Sequence, residues 1–239
     1  MPQNRKFLLA SLITFLFVPA LFAAPIKTLS LDFTRELTQK GTTETTSGTL
    51  HYNAKAKRVV VEVAEPLAQI MLVKGKVLDI YYPVEKQAFR FISEGHIPLP
   101  FVESIIQSTQ PEYGLTAIGY ALDRHDVKDE VLYTYWRPPE KAKDKLGEVI
   151  LGMRDERLIS AEVKNPEGRL AATSRYQNHS KIGDNYIPME VSAILYGERS
   201  EVIQRERILY SNPRVNAEPP NPILTFTIPA SVKIKELRW

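Results

Sequence analysis

Four histidines, His51, His96, His125 and His179, are the side chains best suited to metal binding or general base catalysis. None lies three or four positions from another, the spacing that sets two imidazoles on one side of a helix. His125 stands near Asp123 and Asp126 and could offer a metal three ligands, but a solvated turn at a polar strand end accounts for the same residues. The carboxylate pairs Asp129-Glu130 and Asp155-Glu156 suit acid/base work by type, yet both fall where hairpin tips are expected. Lys141, Lys143 and Lys145 alternate with Glu140 and Asp144 and read as a charged loop. None of the 11 glycines belongs to a Gly-x-Ser-x-Gly elbow, a phosphate loop or a dinucleotide fingerprint. The 239 residues contain no cysteine, which removes a disulfide scaffold, a thiolate zinc site, a cysteine nucleophile and an acylated cysteine anchor. The expectation is a protein without catalysis, metal or cofactor.

Composition sets the class. Apolar residues make up 44% and charged residues 25%, ordinary for a globular chain. Lys and Arg number 31 against 28 Asp and Glu, a net charge of +3 that is too small for a nucleic-acid surface. Asn4-Arg5-Lys6 precedes an uncharged run from Phe7 to Ala24, most apolar between Leu8 and Val18 and broken by Pro19. That order is the pattern of a cleavable secretory signal, and the run is short for a span of ~20 residues. Cleavage after Ala23 puts Leu21 at −3, whereas cleavage after Ala24 would put Pro25 at +1. Residues 1–23 are therefore expected to be a signal peptide without a twin-arginine pair. Residues 24–239 are expected to form one exported soluble domain with a net charge of +1 (29 − 28).

The elements that must position any site read as strands. Val59, Val61 and Val63 share one face and Arg58, Val60 and Glu62 the other. Leu78, Ile80 and Tyr82 oppose Val77, Asp79 and Tyr81, and Val131, Tyr133 and Tyr135 oppose Leu132, Thr134 and Trp136. This period of two, with its β-branched and aromatic content, marks half-buried strands. Lys74-Gly75-Lys76 separates Ile70–Val73 from Val77–Tyr82, and Asn165-Pro166-Glu167-Gly168 fits a type I turn between Leu158–Lys164 and Leu170–Tyr176. Further strands are expected at Ser47–Tyr52, Ala121–Asp126, Glu148–Met153, Ile187–Leu195, Val202–Tyr210 and Leu224–Ile228, roughly ten or eleven in all. Thr28–Lys40 reads as helix followed by strand.

One segment breaks the alternation. After Pro98-Leu99-Pro100, apolar residues at 101, 102, 105 and 106 fall on one helical face, predicting a short helix over Phe101–Gln107. The fold class is α+β: a single curved, mostly antiparallel sheet with one or two short apolar helices. Such a sheet has more inward apolar area than two short helices can cover, so either side chains fill the hollow or a lipid-like ligand does.

The stretch from Leu31 to about Ile92 resembles the LolA family of periplasmic carriers of outer-membrane lipoproteins. Phe33-Thr34-Arg35 is similar to the end of that family's first strand, and Gly48-Thr49-Leu50-His51-Tyr52 to the next. Glu65-Pro66, then Ile70 to Tyr82 and Pro83, resembles its proline, apolar strand, glycine turn, apolar strand and terminal Tyr-x-Pro. The helix at Phe101–Gln107 falls where the family has a lid, and Phe226-Thr227-Ile228-Pro229 with Val232 resembles its closing strand. The family's Lys-Arg-Pro segment would fall near Asn53–Arg58, which contains no proline. Lys55 or Arg58 would then be the lid contact, although both also suit an exposed hairpin charge.

The resemblance implies a strongly curved sheet, an incomplete β-barrel whose concave face is lined by apolar side chains and covered by short helices, and a periplasmic carrier, not lipid-anchored, that holds the acyl chains of a lipoprotein or lipid. It implies an inner-membrane donor complex, an outer-membrane acceptor and transient contact with the membrane surface. The acceptor of such pathways is anchored by an acylated cysteine, which this sequence lacks. The expected cavity residues are Phe33, Leu50, Val59, Val61, Ile70, Leu72, Leu78, Ile80 and Tyr82 from strands and Phe101, Val102, Ile105 and Ile106 from the lid. An ordinary packed core uses the same residues. Two rival readings are an envelope-stress sensor or interaction module of the same fold, and a secreted hydrolase using scattered carboxylates.

Overall fold

The structure, a computed structural model, describes residues 26–92, 105–108, 110–183, 185–217 and 221–238. The expected signal segment, His96, and the first part of the expected helix with Phe101 and Val102 lie outside the described residues. Alternation of apolar and polar side chains is translated directly into strands: β1 (Thr28–Gln39), β2 (Thr42–Asn53), β3 (Arg58–Glu65), β4 (Gln69–Lys74), β5 (Val77–Tyr82), β6 (Gln87–Ile92) and β7 (Ala121–Lys128). The second half continues with β8 (Val131–Arg137), β9 (Val149–Arg154), β10 (Arg157–Lys164), β11 (Leu170–Ile182), β12 (Asn185–Tyr196), β13 (Val202–Val215) and β14 (Ile234–Arg238). All belong to one sheet, in the order β14-β6-β5-β4-β3-β2-β1-β13-β12-β11-β10-β9-β8-β7. Every neighbouring pair is antiparallel except β14 with β6. The two edge strands do not meet, so the sheet is open.

Several expectations are corrected here. Residues 28–39 are strand throughout, because β1 is hydrogen-bonded on both sides, to β2 and to β13, and a helix would leave both ladders unpaired. Leu224–Ile228 is not a strand: Pro222–Thr225 forms a single 3-10 turn, with the Asn221 side chain accepting from the Ile223 amide at 3.0 Å. The closing strand is β14, eight residues beyond Phe226. The strands number fourteen because β6 and β14 are short edge-side strands whose alternation is weak, and β1 counts as a full strand. Residues 105–108 are helical, and with the 3-10 turns Pro111–Gly114 and Thr116–Ile118 they are the helical cover among the described residues on the core face. No helix among the described residues is long and apolar enough to cross a membrane.

The two faces of the sheet differ. One buries Leu29, Leu31 and Phe33 of β1, Leu50 of β2 and Val59, Val61 and Val63 of β3 in a single cluster with Tyr176, Val191, Ile208 and Tyr210 from the later strands. Ile105, fully buried, packs into the same cluster. The opposite face holds Val60, Leu72, Tyr81 and Ala88, beneath the turn at Pro222–Thr225 whose Leu224 is buried. There the Tyr81 and Phe226 rings stack with centroids 6.1 Å apart, and Arg90 clamps Asp79 through two hydrogen bonds of 2.7 and 2.8 Å.

Turn length decides which residue goes to which face. Gly75-Lys76 is a two-residue hairpin turn that sets Lys74 opposite Val77, so Met71 pairs with Ile80 and Val73 with Leu78. Ile70 and Leu72 pair instead with Tyr81 and Asp79, which places them on the face away from Val61. Their grouping with Leu78, Ile80 and Tyr82 is thereby corrected.

Gly48 shows how tightly the first strands are drawn together. The register of β2 against β3 shifts between Ser47 and Gly48. A Cβ built there would stand 2.0 Å from the Glu62 carbonyl oxygen and 2.9 Å from the Val63 Cα, both backbone atoms that cannot step aside. Gly48→Ala is expected to cost about 2–3 kcal/mol, the upper part of the overpacking range. Gly41→Ala, at a turn with φ +78° and open space around it, is expected to cost about 1 kcal/mol from the backbone alone. Equilibrium unfolding in urea measures both, and equal losses would contradict the close approach at Gly48.

Candidate ligand-binding cavity

Strands spaced ~4.8 Å apart would set β2 and β7, eight places from each other in the sheet, nearly 40 Å apart if the sheet were flat. Yet Tyr52 on β2 and Leu122 on β7 line the same cavity of about 980 Å³. The sheet therefore curls, and the cavity lies in its hollow on the core face. Trp136 and Thr134 of β8, Leu151 and Met153 of β9 and Leu158 of β10 supply the strand wall. Alternation puts them there: Leu122 pairs with Trp136, Trp136 with Val149 and Thr134 with Leu151, so one side of three successive strands faces inward. The Trp136 indole N–H is satisfied by the Thr134 hydroxyl at 2.9 Å. Tyr113 and Gly114, from the 3-10 segment, and Ser108, at the end of the helical residues, form part of the cover.

The residues expected from the sequence to hold a ligand fall into four groups. Phe33, Leu50, Val59 and Val61 are brought together with Ile105, but as packed core; none of them borders the cavity, and Ile106 packs against their cluster. Leu78, Ile80 and Tyr82 share their face through the ladder without lining the cavity. Ile70 and Leu72 lie on the other face. Arg58 shares the face of Val60, and its guanidinium donates to the Phe226 carbonyl, so it anchors the C-terminal segment on the convex side. Lys55 is exposed in the turn before β3. The cavity wall comes mostly from strands β8 to β12, whose inward residues alternate as clearly as those of β3. What singles them out is that Trp136, Leu151 and Leu158, though buried in the core cluster, also border open space among the described residues, and periodicity carries no such signal.

Polar side chains also border the cavity, among them Gln110, Glu112, Arg157 and His179. Burial pushes the Tyr113 and Tyr176 hydroxyls up to about 12, so both stay neutral at any physiological pH. The His179 Nε2 bonds the Leu158 carbonyl at 2.9 Å, and burial holds its pKa below the ordinary histidine value. Among the described residues no cluster of His, Cys, Asp and Glu could hold a metal ion. Asp129-Glu130 and Asp155-Glu156 do sit at hairpin tips, each residue with positive φ.

A serine, a histidine and a carboxylate do meet, at a place that single-strand spacing does not reveal. The Ser30 hydroxyl and His51 Nδ1 lie 2.9 Å apart, and His51 Nε2 lies 2.9 Å from Glu62 Oε1. The three residues belong to β1, β2 and β3 in direct cross-strand register or next to it. The order is wrong for a hydrolase: Ser30 is buried, Glu62 is the exposed end, and the cavity does not border any of the three. Neutral His51 accepting from Ser30 and donating to Glu62 is a structural clasp. Burial outweighs Glu62 and lowers the pKa of His51.

No family model matches the chain, and no curated protein matches it in sequence. Solved structures do match in shape. A LolA superfamily protein from Nitrosomonas europaea is 18% identical and superposes with a TM-score of 0.55, over 82% of this chain and 90% of that one. A DUF1329 family protein from Desulfovibrio piger gives 0.58 at 13% identity, over 81% and 87%. An outer membrane lipoprotein-sorting protein domain from Vibrio parahaemolyticus gives 0.55 at 12% identity, over 80% and 86%. The chain has the LolA-like fold.

Buried His51 and half-buried His179 set the acid behaviour of the fold. Folding disfavours their protonated form, so the unfolded chain takes up these protons at a higher pH than the folded chain. Their contribution is complete above about pH 6.5, the ordinary histidine value, and is lost as pH falls from there toward the lowered folded values. The Asp32 carboxyl, held below its usual range chiefly by a hydrogen bond from Asn212, adds a loss only below about pH 4. The melting temperature is expected to fall between pH 7.5 and 5.5, and with a shallower slope in His51→Gln and in His179→Gln. A flat or rising profile in the unmodified protein would count against both assignments.

Proposed function

We propose that this chain is a non-catalytic carrier that holds the hydrocarbon chains of a lipoprotein or lipid in the hollow of its sheet. The supporting observation is the cavity of about 980 Å³ with a largely aliphatic and aromatic wall, at the upper end of the range of about 300–1,000 Å³ for sites that enclose small ligands. A buried methylene is worth about 0.8 kcal/mol, so a 16-carbon chain costs on the order of 10 kcal/mol to expose to water. A carrier has to offset most of that while leaving the chain removable. An open sheet suits this: its walls remove the chain from water, and its unclosed edge and short cover leave a route out. The fold of a lipoprotein-sorting domain and of a LolA superfamily protein agrees with such a role.

With the secretory signal expected at residues 1–23, the carrier works in the periplasm. It takes cargo from an inner-membrane donor and passes it to an outer-membrane acceptor, touching membrane surfaces in transit. No catalytic step is assigned. The serine–histidine–carboxylate chain found among the described residues lies outside the cavity, so it lends the hydrolase reading no support.

Cargo binding is tested first by native mass spectrometry of gently purified protein, which is expected to carry bound lipid or acylated mass. An environment-sensitive acyl probe is then titrated into delipidated protein. Leu122→Glu and Met153→Glu each put a carboxylate on the wall and are expected to weaken the probe about tenfold or more, which is about 1.4 kcal/mol. Val84→Glu, at a position 77% exposed and away from the cavity, is expected to leave it unchanged. Protein that carries no such mass and also excludes the probe would end the carrier reading.

A further inference from the structure

We propose that Arg157 is the polar anchor of the cavity and that the ligand is a long-chain amphiphile with an anionic headgroup, a carboxylate or a phosphate. This rests on the carrier reading for the chain and adds to it the class of head. Arg157 opens β10 and lines the cavity. Its Nη2 donates to Asp155 at 2.6 Å, while its Nε is buried with no hydrogen-bond partner, the one buried side-chain nitrogen or oxygen in that state among the described residues. A buried donor on a charged group is costly to leave unmade, and such groups mark sites that a ligand completes.

The surroundings favour a negative head at this corner. The Tyr186 ring, also on the cavity wall, has the Arg157 guanidinium carbon 5.7 Å from its centroid and the Lys181 ammonium 5.6 Å from it. Lys181 stands directly opposite Tyr186 in the ladder, so two cations flank one aromatic face of the site. Asp155 is a weak competitor: its side chain is 73% exposed, and an exposed pair holds little. Swinging the guanidinium from Asp155 onto a ligand oxygen keeps its charge paired and gives Nε an acceptor. Glu112 and Glu156, both exposed, also border the cavity; Glu156 adjoins Arg157 in the chain and opposes an anion there, so the anchor rests on the two cations and the unpaired Nε donor rather than on the net charge of the corner. The chain then runs toward Trp136 and Leu122.

The test compares four dodecyl compounds below their micelle concentrations by calorimetry: dodecanoate, dodecyl phosphate, dodecanol and dodecyltrimethylammonium. Unmodified protein is expected to bind an anionic compound about tenfold more tightly than dodecanol, and the cationic one more weakly still, a preference that closes when salt is raised from about 0.05 to 0.5 M. Arg157→Gln is expected to remove the preference and leave dodecanol binding and the melting temperature nearly unchanged. The carboxylate and phosphate arms show which head fits. Equal binding of dodecanol and the anions, or an anionic preference that survives both salt and Arg157→Gln, would overturn the anchor and leave the carrier reading standing. Failure of all four compounds to bind would overturn both.

Discussion

An open sheet must satisfy its backbone within its own ladders while burying an inward face that has no second sheet to pack on. Nearly everything in this chain follows from that constraint. Thirteen strand pairings, all but one antiparallel, hold the backbone. The first strands meet the demand for burial by packing Leu29, Leu31, Phe33, Leu50 and the valines of β3 against one another and against Ile105. Strands β8 to β10 meet it only partly, and the shortfall is the cavity. A hollow of this kind is an expected product of curvature when the helical cover is short: wall area grows with every strand added, and the cover does not.

The sheet is also unusual in being buried on both sides near β3. Val60 is as inaccessible as Val61, although they point to opposite faces. The second layer is made by the C-terminal segment, where Leu224 and Phe226 cover Val60, Leu72 and Tyr81 and Arg58 ties down the Phe226 carbonyl. The outer face of β2 to β5 is covered by this second layer, whereas β7, at the far edge of the sheet, is exposed along its length.

Polar chemistry is distributed in the same way. Away from the cavity, charged groups find partners: Arg35 with Glu206, Arg90 with Asp79, Glu148 with Lys164. At the cavity, hydroxyls are kept neutral by burial, and a single guanidinium donor is left without an acceptor. The cavity thus combines an apolar wall with one corner where Arg157 and Lys181 stand beside Asp155 and Glu156.

Strand identity and hairpin tips were legible in the linear chain, because alternation and turn residues are local properties. So β3, β5, β8 and the Asn165–Gly168 turn stand where periodicity puts them, and Asp129-Glu130 and Asp155-Glu156 occupy the tips expected of them. Resemblance added the fold, since order and spacing of weak motifs survive where identity does not. Only the folded chain decided the rest. Ile70 and Leu72 changed face because a two-residue turn sets the register, and Phe33, Leu50 and Val61 became core because Ile105 and its neighbours fill the space above them. The cavity emerged over Trp136, Leu151 and Leu158, four to ten strands from where the familiar motifs lie, because emptiness depends on what distant segments fail to cover, and no residue records that by itself.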